Sequence, residues 1–370
     1  MEGYLCSDKG GFINCKADQC LFVKQGLKGP IILLLYVDDS AIMGHPDDVK
    51  ETIDLIGIRF NIKTEGELND FLGTEIIRDG KKEKCWLLQQ HTIKKLEKKF
   101  EFLVGTHLQT STPGTPRQVL TKHKTEEELL SKDDHDLYRS GVGTLLYMLK
   151  HSRMELSNPI RELSKFMQLP SNKHMKELYR VVAWILKTKN VGLKMEPKYI
   201  KKDNGEIKWE LKGICDTTWG SDPEDGRSVT GFILYFMGVP ISWKSKTQKH
   251  VTLSSSEAEY VGASELVKDI MFVLQILETL GIVVELPINV YMDNIGAIQM
   301  ARNNQSGTAT RHINFRYYYC REVHGTLIRL IFVRSEENES DILTKNSTKQ
   351  EFEHHAPKLI EEVPLHLIRK

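Results

Sequence analysis

Asp38 and Asp39 stand side by side where an apolar run from Pro30 to Tyr36 ends, in the order Tyr36-Val37-Asp38-Asp39-Ser40. Adjacent carboxylates at the tip of a hydrophobic hairpin are costly to desolvate unless a proton or a cation neutralises them. A divalent metal is the usual answer, and metal-assisted phosphoryl transfer is the chemistry this pattern points to. Four further acids fall at the ends of predicted elements: Asp216 on a strand, Glu259 in a long helix, Asp293 closing the next strand and Asp341 opening the last helix. Two magnesium ions about 3.5 to 4 Å apart can flank a scissile phosphate, one activating water and the other stabilising the leaving oxygen. Magnesium accepts a few carboxylates plus substrate oxygens, so four acids shared by two ions form a sensible set. Taken singly, each acid also suits a solvated element end or a helix N-cap, Asp341 most clearly.

The elements that must position these acids can be read from periodicity and breakers. Cys20–Phe22 and Ile31–Tyr36 form a predicted hairpin turned at Gly26–Pro30, and His45-Pro46-Asp47-Asp48 opens a helix with Val49, Ile53, Ile56 and Phe60 on one face. A strand pair turns at Asp79-Gly80, and a basic amphipathic helix covers His91–Phe100 with Lys94, Lys95, Lys98 and Lys99 outward. Thr110–Pro116 carries linker chemistry and predicts a domain boundary. Tyr138–Leu193 is helical by period. Strand-like alternation then begins at Ile207, Trp209 and Leu211 and opens a second α/β unit. Its predicted order is a strand ending near Asp216, a hairpin from Gly231 to Trp243, a helix from Ser256 to about Leu280, a strand over Ile288–Asp293, a helix from Ile295, a helix through Arg311–Val323, a strand over Leu327–Val333 and a terminal helix. The fold class expected is α/β (α+β).

Composition narrows the function classes. The chain has 370 residues, 40% hydrophobic and 27% charged, which suits two or three globular domains. Lys+Arg 51 against Asp+Glu 50 gives a net charge of +1, so any nucleic-acid binding must come from local patches. Cys6, Cys15, Cys20, Cys85, Cys215 and Cys320 form no CxxC pair and no zinc-ligand spacing, which favours a reducing compartment. The start, Met1-Glu2-Gly3-Tyr4, lacks the basic and apolar regions of a secretory leader, and no apolar run approaches membrane-spanning length. An intracellular, soluble chain is expected.

Several segments fall in a recognisable order. Cys215-Asp216-Thr217-Thr218-Trp219-Gly220, Asp225–Phe232, Ile241–Gln248 with Leu253-Ser254-Ser255-Ser256-Glu257-Ala258-Glu259-Tyr260, Met292-Asp293-Asn294 with Ala297-Ile298, Arg311-His312-Ile313, and Asp341-Ile342-Leu343-Thr344-Lys345 resemble the ribonuclease H region of Ty1/copia-type retrotransposon Pol polyproteins. Gly11-Phe12, Asp18–Phe22, Tyr36-Val37-Asp38-Asp39 and Phe71-Leu72-Gly73 resemble the late palm and thumb of the reverse transcriptase. Tyr138–Gly143 and Phe166 through Arg180 are similar to the helical connection.

The resemblance implies a reverse transcriptase fragment over residues 1–109, a linker over 110–137, a helical connection over 138–200, an RNase H-like domain with a five-stranded mixed sheet flanked by helices over 206–350, and a C-terminal tail over 351–370. It implies that Asp216, Glu259, Asp293 and Asp341 bind two Mg2+ ions, with Mn2+ a substitute, and cleave the RNA strand of an RNA·DNA hybrid. Glu257 is assigned a supporting or surface role. Asp38 and Asp39 are then a partial polymerase site: the family's third palm aspartate and its fingers lie upstream, so this chain alone is not expected to polymerise DNA. Implied partners are the hybrid, template RNA and cDNA, and upstream polyprotein segments or a second reverse transcriptase chain. The implied location is cytoplasmic, in a virus-like particle, or nuclear. A subunit of a complete polymerase and a non-catalytic remnant that binds nucleic acid are the other readings.

Several residues near these acids are candidate substrate contacts. Lys244, Lys246, Lys249 and His250 could line the hybrid's phosphates or form a solvated hairpin end. Trp219 and Trp243 could stack near substrate or fill the core. Ser256 and Asn294 are substrate-side candidates, and His312 could shuttle a proton or lie on the surface. His354-His355 reads as surface. Thr218, Asn314, Tyr318 and Asn346 depart from the family pattern, as does Ser152-Arg153-Met154-Glu155 in the connection.

Overall fold

The computed structural model describes the chain except residues 82, 106–109, 123–124, 126–127, 303–318 and 369–370. His312, Asn314 and Tyr318, and most of the helix expected through Arg311–Val323, lie outside the described residues. The described chain forms two compact units, one of Met1–Leu72 with Asp269–Val284 and the other of Gly73–Lys268 with Glu285–Lys370.

The smaller unit begins with α1 (Glu2–Leu5) and continues through β1 (Ile13–Asn14), β2 (Leu21–Gln25), β3 (Pro30–Tyr36), β4 (Asp39–Met43), α2 (Pro46–Gly57) and β5 (Asp70–Phe71). Strands β1 to β4 form an antiparallel meander in chain order. The predicted hairpin is present, with a further strand, β4, turning back immediately after Tyr36. Ile31 and Leu33 point into a core with Leu5, Phe12, Phe22 and Ile56. Helix α2 starts where the sequence places it: His45 is the N-cap, its Nδ1 accepting from Asp47 N at 3.3 Å, and Pro46 occupies the first turn.

The larger unit comprises β6 (Thr74–Arg78), β7 (Cys85–Leu88), α3 (Gln90–Lys99), α4 (Lys132–His151), α5 (Ser157–Ser164), α6 (Asn172–Lys187), β8 (Val191–Met195), β9 (Ile200–Lys201), β10 (Ile207–Lys208), β11 (Leu211–Thr218), β12 (Val229–Phe236), β13 (Val239–Thr247), α7 (Ser255–Thr279, of which residues up to Lys268 belong here), β14 (Ile288–Met292), α8 (Ile295–Arg302), α9 (Tyr319–Glu322), β15 (Ile328–Phe332), α10 (Asp341–Thr344), α11 (Lys349–Leu359) and β16 (Ile360–Glu362). Its main sheet has the order β13-β12-β11-β14-β15, antiparallel across β13, β12 and β11 and parallel from β11 to β14 to β15. This is the five-stranded mixed sheet expected, within an α+β fold.

Three expectations about organisation change. The Thr110–Pro116 segment is packed onto the larger unit: Thr112 is buried and accepts from Arg180 Nη2 at 3.2 Å, and Lys187 Nζ donates to Thr110 O at 3.0 Å. Buried Asn346 closes the same strap, accepting from Asn158 Nδ2 at 3.0 Å and donating to Gln118 O at 2.8 Å. Proline and glycine there mark irregular backbone, which does not require exposure. Secondly, Leu193 lies on strand β8, paired with β7, because the helical period stops at Lys187. Thirdly, the C-terminal residues are structural: β16 pairs antiparallel with β8, and Val363 is fully buried against Trp86 and Leu88. A single core joins Phe100, Leu145, Leu178, Ile214, Ile233, Leu343 and Phe352, so the helical connection shares its interior with the main sheet.

Arg153 and Glu155, in the turn that departs from the family pattern, form an ion pair with both side chains almost fully buried. Arg153 Nε donates to Glu155 Oε1 at 2.7 Å, and its guanidinium also reaches Thr188 O and Oγ1. Removing one partner strands the other charge in the interior, at a cost of about 3–5 kcal/mol. Arg153→Met is therefore expected to lower the urea midpoint strongly, whereas the joint change with Glu155→Leu recovers most of the loss.

Candidate metal centre

Strand register brings the first two acids together. Pairing along the parallel β11/β14 ladder runs from Lys212 with Asn289 to Ile214 with Tyr291, so continuing two residues sets Asp216 beside Asp293 at the carboxyl ends of neighbouring strands. Glu259 reaches the same point from α7. Its approach depends on Gly262, where an added Cβ would lie 2.5 Å from Thr217 Oγ1 on β11. One ligand oxygen from each of Asp216, Glu259 and Asp293 lies within 4.8 Å of the others, and this is the metal-capable group of three among the described residues.

Asp341 arrives through α10, which crosses the sheet over Gly231. A Cβ at Gly231 would lie 2.6 Å from Thr344 Cγ2 and 2.9 Å from Leu343 Cβ, so glycine is what admits the helix. Asp341 lies close enough to Asp216 to raise its pKa and pairs with Lys345 Nζ at 2.5 Å. Helix α10 is a separate short helix ahead of α11, where a single terminal helix was expected. Gly231→Ala is expected to cost about 1–3 kcal/mol as an overpacking change. It should also weaken divalent binding by displacing Asp341, read by urea denaturation with and without the ion.

The electrostatics of the group are those of crowded acids, with the Lys345 ammonium beside Asp341 and Asp216 as a partial countercharge. Burial, reinforced by the Asp216 and Asp293 carboxylates, pushes Glu259 up to about 10. Burial, with Asp341 beside it, pushes Asp216 up to about 7, and burial also raises Asp341. Some of this charge is met locally: Thr344 Oγ1 donates to Asp216 Oδ2, Ser335 Oγ to Asp293 Oδ2 at 2.6 Å, and Thr217 N to Glu259 Oε1 at 3.1 Å. Glu259 Oε2 is buried with no hydrogen-bond partner among the described residues. A buried carboxylate oxygen without a donor costs about 1–3 kcal/mol or more and calls for a ligand. Hard oxygen donors at this spacing suit a divalent cation, so the residues fit the group that the acids imply.

Sequence alone assigns no role to Thr344, Lys345, Ser335 or Asn338. Asn338 is fully buried, donates to Cys215 O at 3.0 Å and accepts from Ser340 N and Oγ, which fixes the loop before α10. The other candidates divide. Glu257 is structural at the start of α7, accepting from Leu253 N at 2.7 Å. Asn294 caps α8, accepting from Ala297 N at 2.9 Å and Ser256 Oγ at 3.1 Å. Trp243 packs on the helical core and donates from Nε1 to Leu149 O at 2.9 Å, which takes the core alternative over substrate stacking. Trp219 is 51% exposed, so it does not fill the core. His355, read as surface, is buried, and burial lowers it to about 4. Lys244 and Lys246 lie on β13 on the sheet face that carries α7.

Asp38 and Asp39 are both exposed on the tight β3/β4 turn, with Asp39 paired to Tyr36. The desolvation argument that singled them out therefore fails. Val37 has φ 53, a left-handed conformation that is rare for a β-branched residue. Among the described residues no third acid, histidine or cysteine joins this pair in a metal-sized group.

Fold and site together define an α+β protein with a buried carboxylate centre able to hold a metal ion. No protein-family model matches the chain. It is 31% identical over 351 residues to the retrovirus-related Pol polyprotein from transposon RE1 of Arabidopsis thaliana, covering 94% of this chain and 23% of that protein. It is 28% identical to the corresponding polyprotein from transposon TNT 1-94 of Nicotiana tabacum, covering 92% of this chain and 25% of the relative. A putative transposon Ty5-1 protein of Saccharomyces cerevisiae is 28% identical over 71% of this chain and 81% of its own length. The chain belongs to the retrovirus-related Pol polyproteins of copia-type transposons. It spans about a quarter of the length of the plant relatives. Among the described residues no helix is long and apolar enough to cross a membrane.

Proposed function

We propose that the larger unit is a ribonuclease H, hydrolysing the RNA strand of an RNA·DNA hybrid with magnesium held by Asp216, Glu259 and Asp293 and with Asp341 completing the set. The observation that carries the reading is the buried carboxylate group, with Glu259 Oε2 left without a donor among the described residues. When bound, a pair of magnesium ions supplies an acidified water and stabilises charge on the leaving oxygen. The chain's own groups hold and orient. Asp216 and Asp293 present their oxygens from parallel strand ends, and Glu259 is fixed by the Thr217 N–H. Asp341 and Lys345 adjust the charge beside Asp216. Hydrolysis breaks the P–O3′ bond and leaves a 5′-phosphate and a 3′-hydroxyl.

In this reading residues 206–350 carry the nuclease, residues 1–109 are the reverse transcriptase fragment, and the working partners are the hybrid and other polyprotein segments in a cytoplasmic particle. The exposed Asp38-Asp39 turn supports no polymerase site of its own. The test is a labelled RNA·DNA hybrid with Mg2+, with Asp293→Asn alongside. Cleavage by the unaltered chain alone supports the proposal; no cleavage by either sinks it.

A further inference from the structure

Asp341 enters the carboxylate centre already paired with a cation. Lys345 Nζ lies 2.5 Å from Asp341 Oδ2, with 30% of the lysine side chain and 12% of the aspartate side chain exposed. The four-residue spacing is not a helix-face contact here, because Lys345 is the C-cap of α10 and its backbone has left the helix, at φ −142 and ψ 156. Its side chain has to turn back to reach the aspartate. Burial by itself would lower Lys345, but the Asp341 and Asp216 carboxylates outweigh it and raise it. The other acid that acts on Lys345, Glu351, is engaged with Arg117 and with Thr348 N at 2.8 Å.

The backbone that carries this ammonium is held on both sides. Lys345 N donates to Asp341 O at 3.3 Å. The next residue, buried Asn346, accepts at its carbonyl from Arg117 N at 2.8 Å and is tied by its side chain to Gln118 O and Asn158 Nδ2. Exposed ion pairs are weak because two free side chains must be ordered and water screens them; an anchored and largely buried pair escapes part of both penalties.

The two sides of the centre therefore differ. On the Asp341 side, Lys345 meets Asp341 and acts on Asp216, and Thr344 Oγ1 donates to Asp216 Oδ2. On the other side, Glu259 Oε2 has no hydrogen-bond partner among the described residues. The metal-capable group consists of Asp216, Glu259 and Asp293, without Asp341. A first divalent cation can join those three without breaking the Lys345 pair. A second one bound to Asp341 needs an oxygen at about 2.0–2.1 Å, the position the ammonium already occupies.

We infer that Lys345 is a tethered cation that stands in for the second metal ion at Asp341, so that the two ions bind unequally and the second enters only by displacing the lysine. The inference rests on the proposed two-metal reading of the centre and makes Lys345 a positioning residue. Its test is metal binding, separate from cleavage. Mn2+ titrated into the full chain at pH 8 and followed by the electron paramagnetic resonance of the free ion should show one tight and one weaker site. Lys345→Met keeps the apolar stem and removes the charge, and it is expected to tighten the weaker site by about tenfold or more while the tight site stays within about threefold; groups beside a metal ligand change affinity by about 10–100-fold. Lys345→Arg restores the charge and should return the weaker site to its original affinity, and Asp341→Asn should lose it with either residue at 345. If Lys345→Met does not melt cooperatively, Lys345→Gln carries the same comparison. A weaker site that the neutral variants neither gain nor tighten in a folded protein, or one that survives Asp341→Asn, would overturn the role of Lys345 and leave the nuclease reading standing. Unequal sites that shift as expected in a chain that cleaves no hybrid do the reverse, and a chain that binds no Mn2+ overturns both.

Discussion

Glu259→Gln is expected to abolish cleavage of an RNA·DNA hybrid while making the metal-free protein more stable. Opposite effects follow from one cause. Glutamine keeps the shape and the carbonyl oxygen that accepts from Thr217 N, so packing is preserved. It removes the charge that the centre needs to hold a cation. Loss of a group standing behind a metal ligand costs about 10–100-fold, so loss of the ligand itself should exceed about 10³-fold in cleavage rate. Without a cation the same carboxyl is a burden: it is pushed up to about 10 by burial and neighbouring acids, and the folded protein must keep it protonated. Urea denaturation in EDTA at pH 8 should show Glu259→Gln more stable by several kcal/mol, on the order of 1.4 kcal/mol for each pH unit between the unfolded pKa and the working pH. A variant that cleaves normally, or one destabilised in EDTA, contradicts the role assigned to Glu259.

The second large effect is the pH dependence of the metal-free fold. Asp216 rises from 3.8 to about 7 and Glu259 from 4.5 to about 10 on folding. Each pKa is higher in the folded state, so the folded protein binds more protons than the unfolded chain between the two values. The stability these groups allow is complete below about pH 4 and is lost as pH rises through 7 for Asp216 and on toward 10 for Glu259, at about 1.4 kcal/mol per pH unit per group. Other groups add their own terms, so the clean measurement is a difference: melting curves from pH 5 to 9 for the unaltered chain minus those of Glu259→Gln. Saturating Ca2+ or Mg2+ should erase most of the slope, because the ion replaces the protons, and the gain in melting temperature should grow with pH. A cation effect equal at pH 5 and pH 9 would show that the ion binds elsewhere.

Much of this site was legible from residue types in order. Asp216 and Asp293 lie at the ends of strands and Glu259 inside a long helix, all with a clear period, and parallel pairing of two neighbouring strand ends is enough to bring the aspartates together. The supporting residues were not legible. Thr344, which touches Asp216, lies 128 positions away in the chain, and nothing local marks its hydroxyl as a donor to that carboxylate. Asp38-Asp39 shows the opposite error: an apolar run suggested burial, but the two-residue turn projects both acids into solvent.

What the amino-acid sequence determined by itself is the order of elements, their capping and the acids they carry, because periodicity, turn chemistry and N-caps act within a few residues. Tertiary structure decided which parts share a core. The proline- and glycine-bearing strap at Thr110–Pro116 looks like a linker until Arg180 and Lys187 bind its backbone carbonyls, and the last strand looks like a tail until it pairs with β8. Tertiary structure alone also set the protonation of the acids. Burial and mutual repulsion lift Glu259 and Asp216 far from their ordinary values, and neither depends on neighbours in the chain.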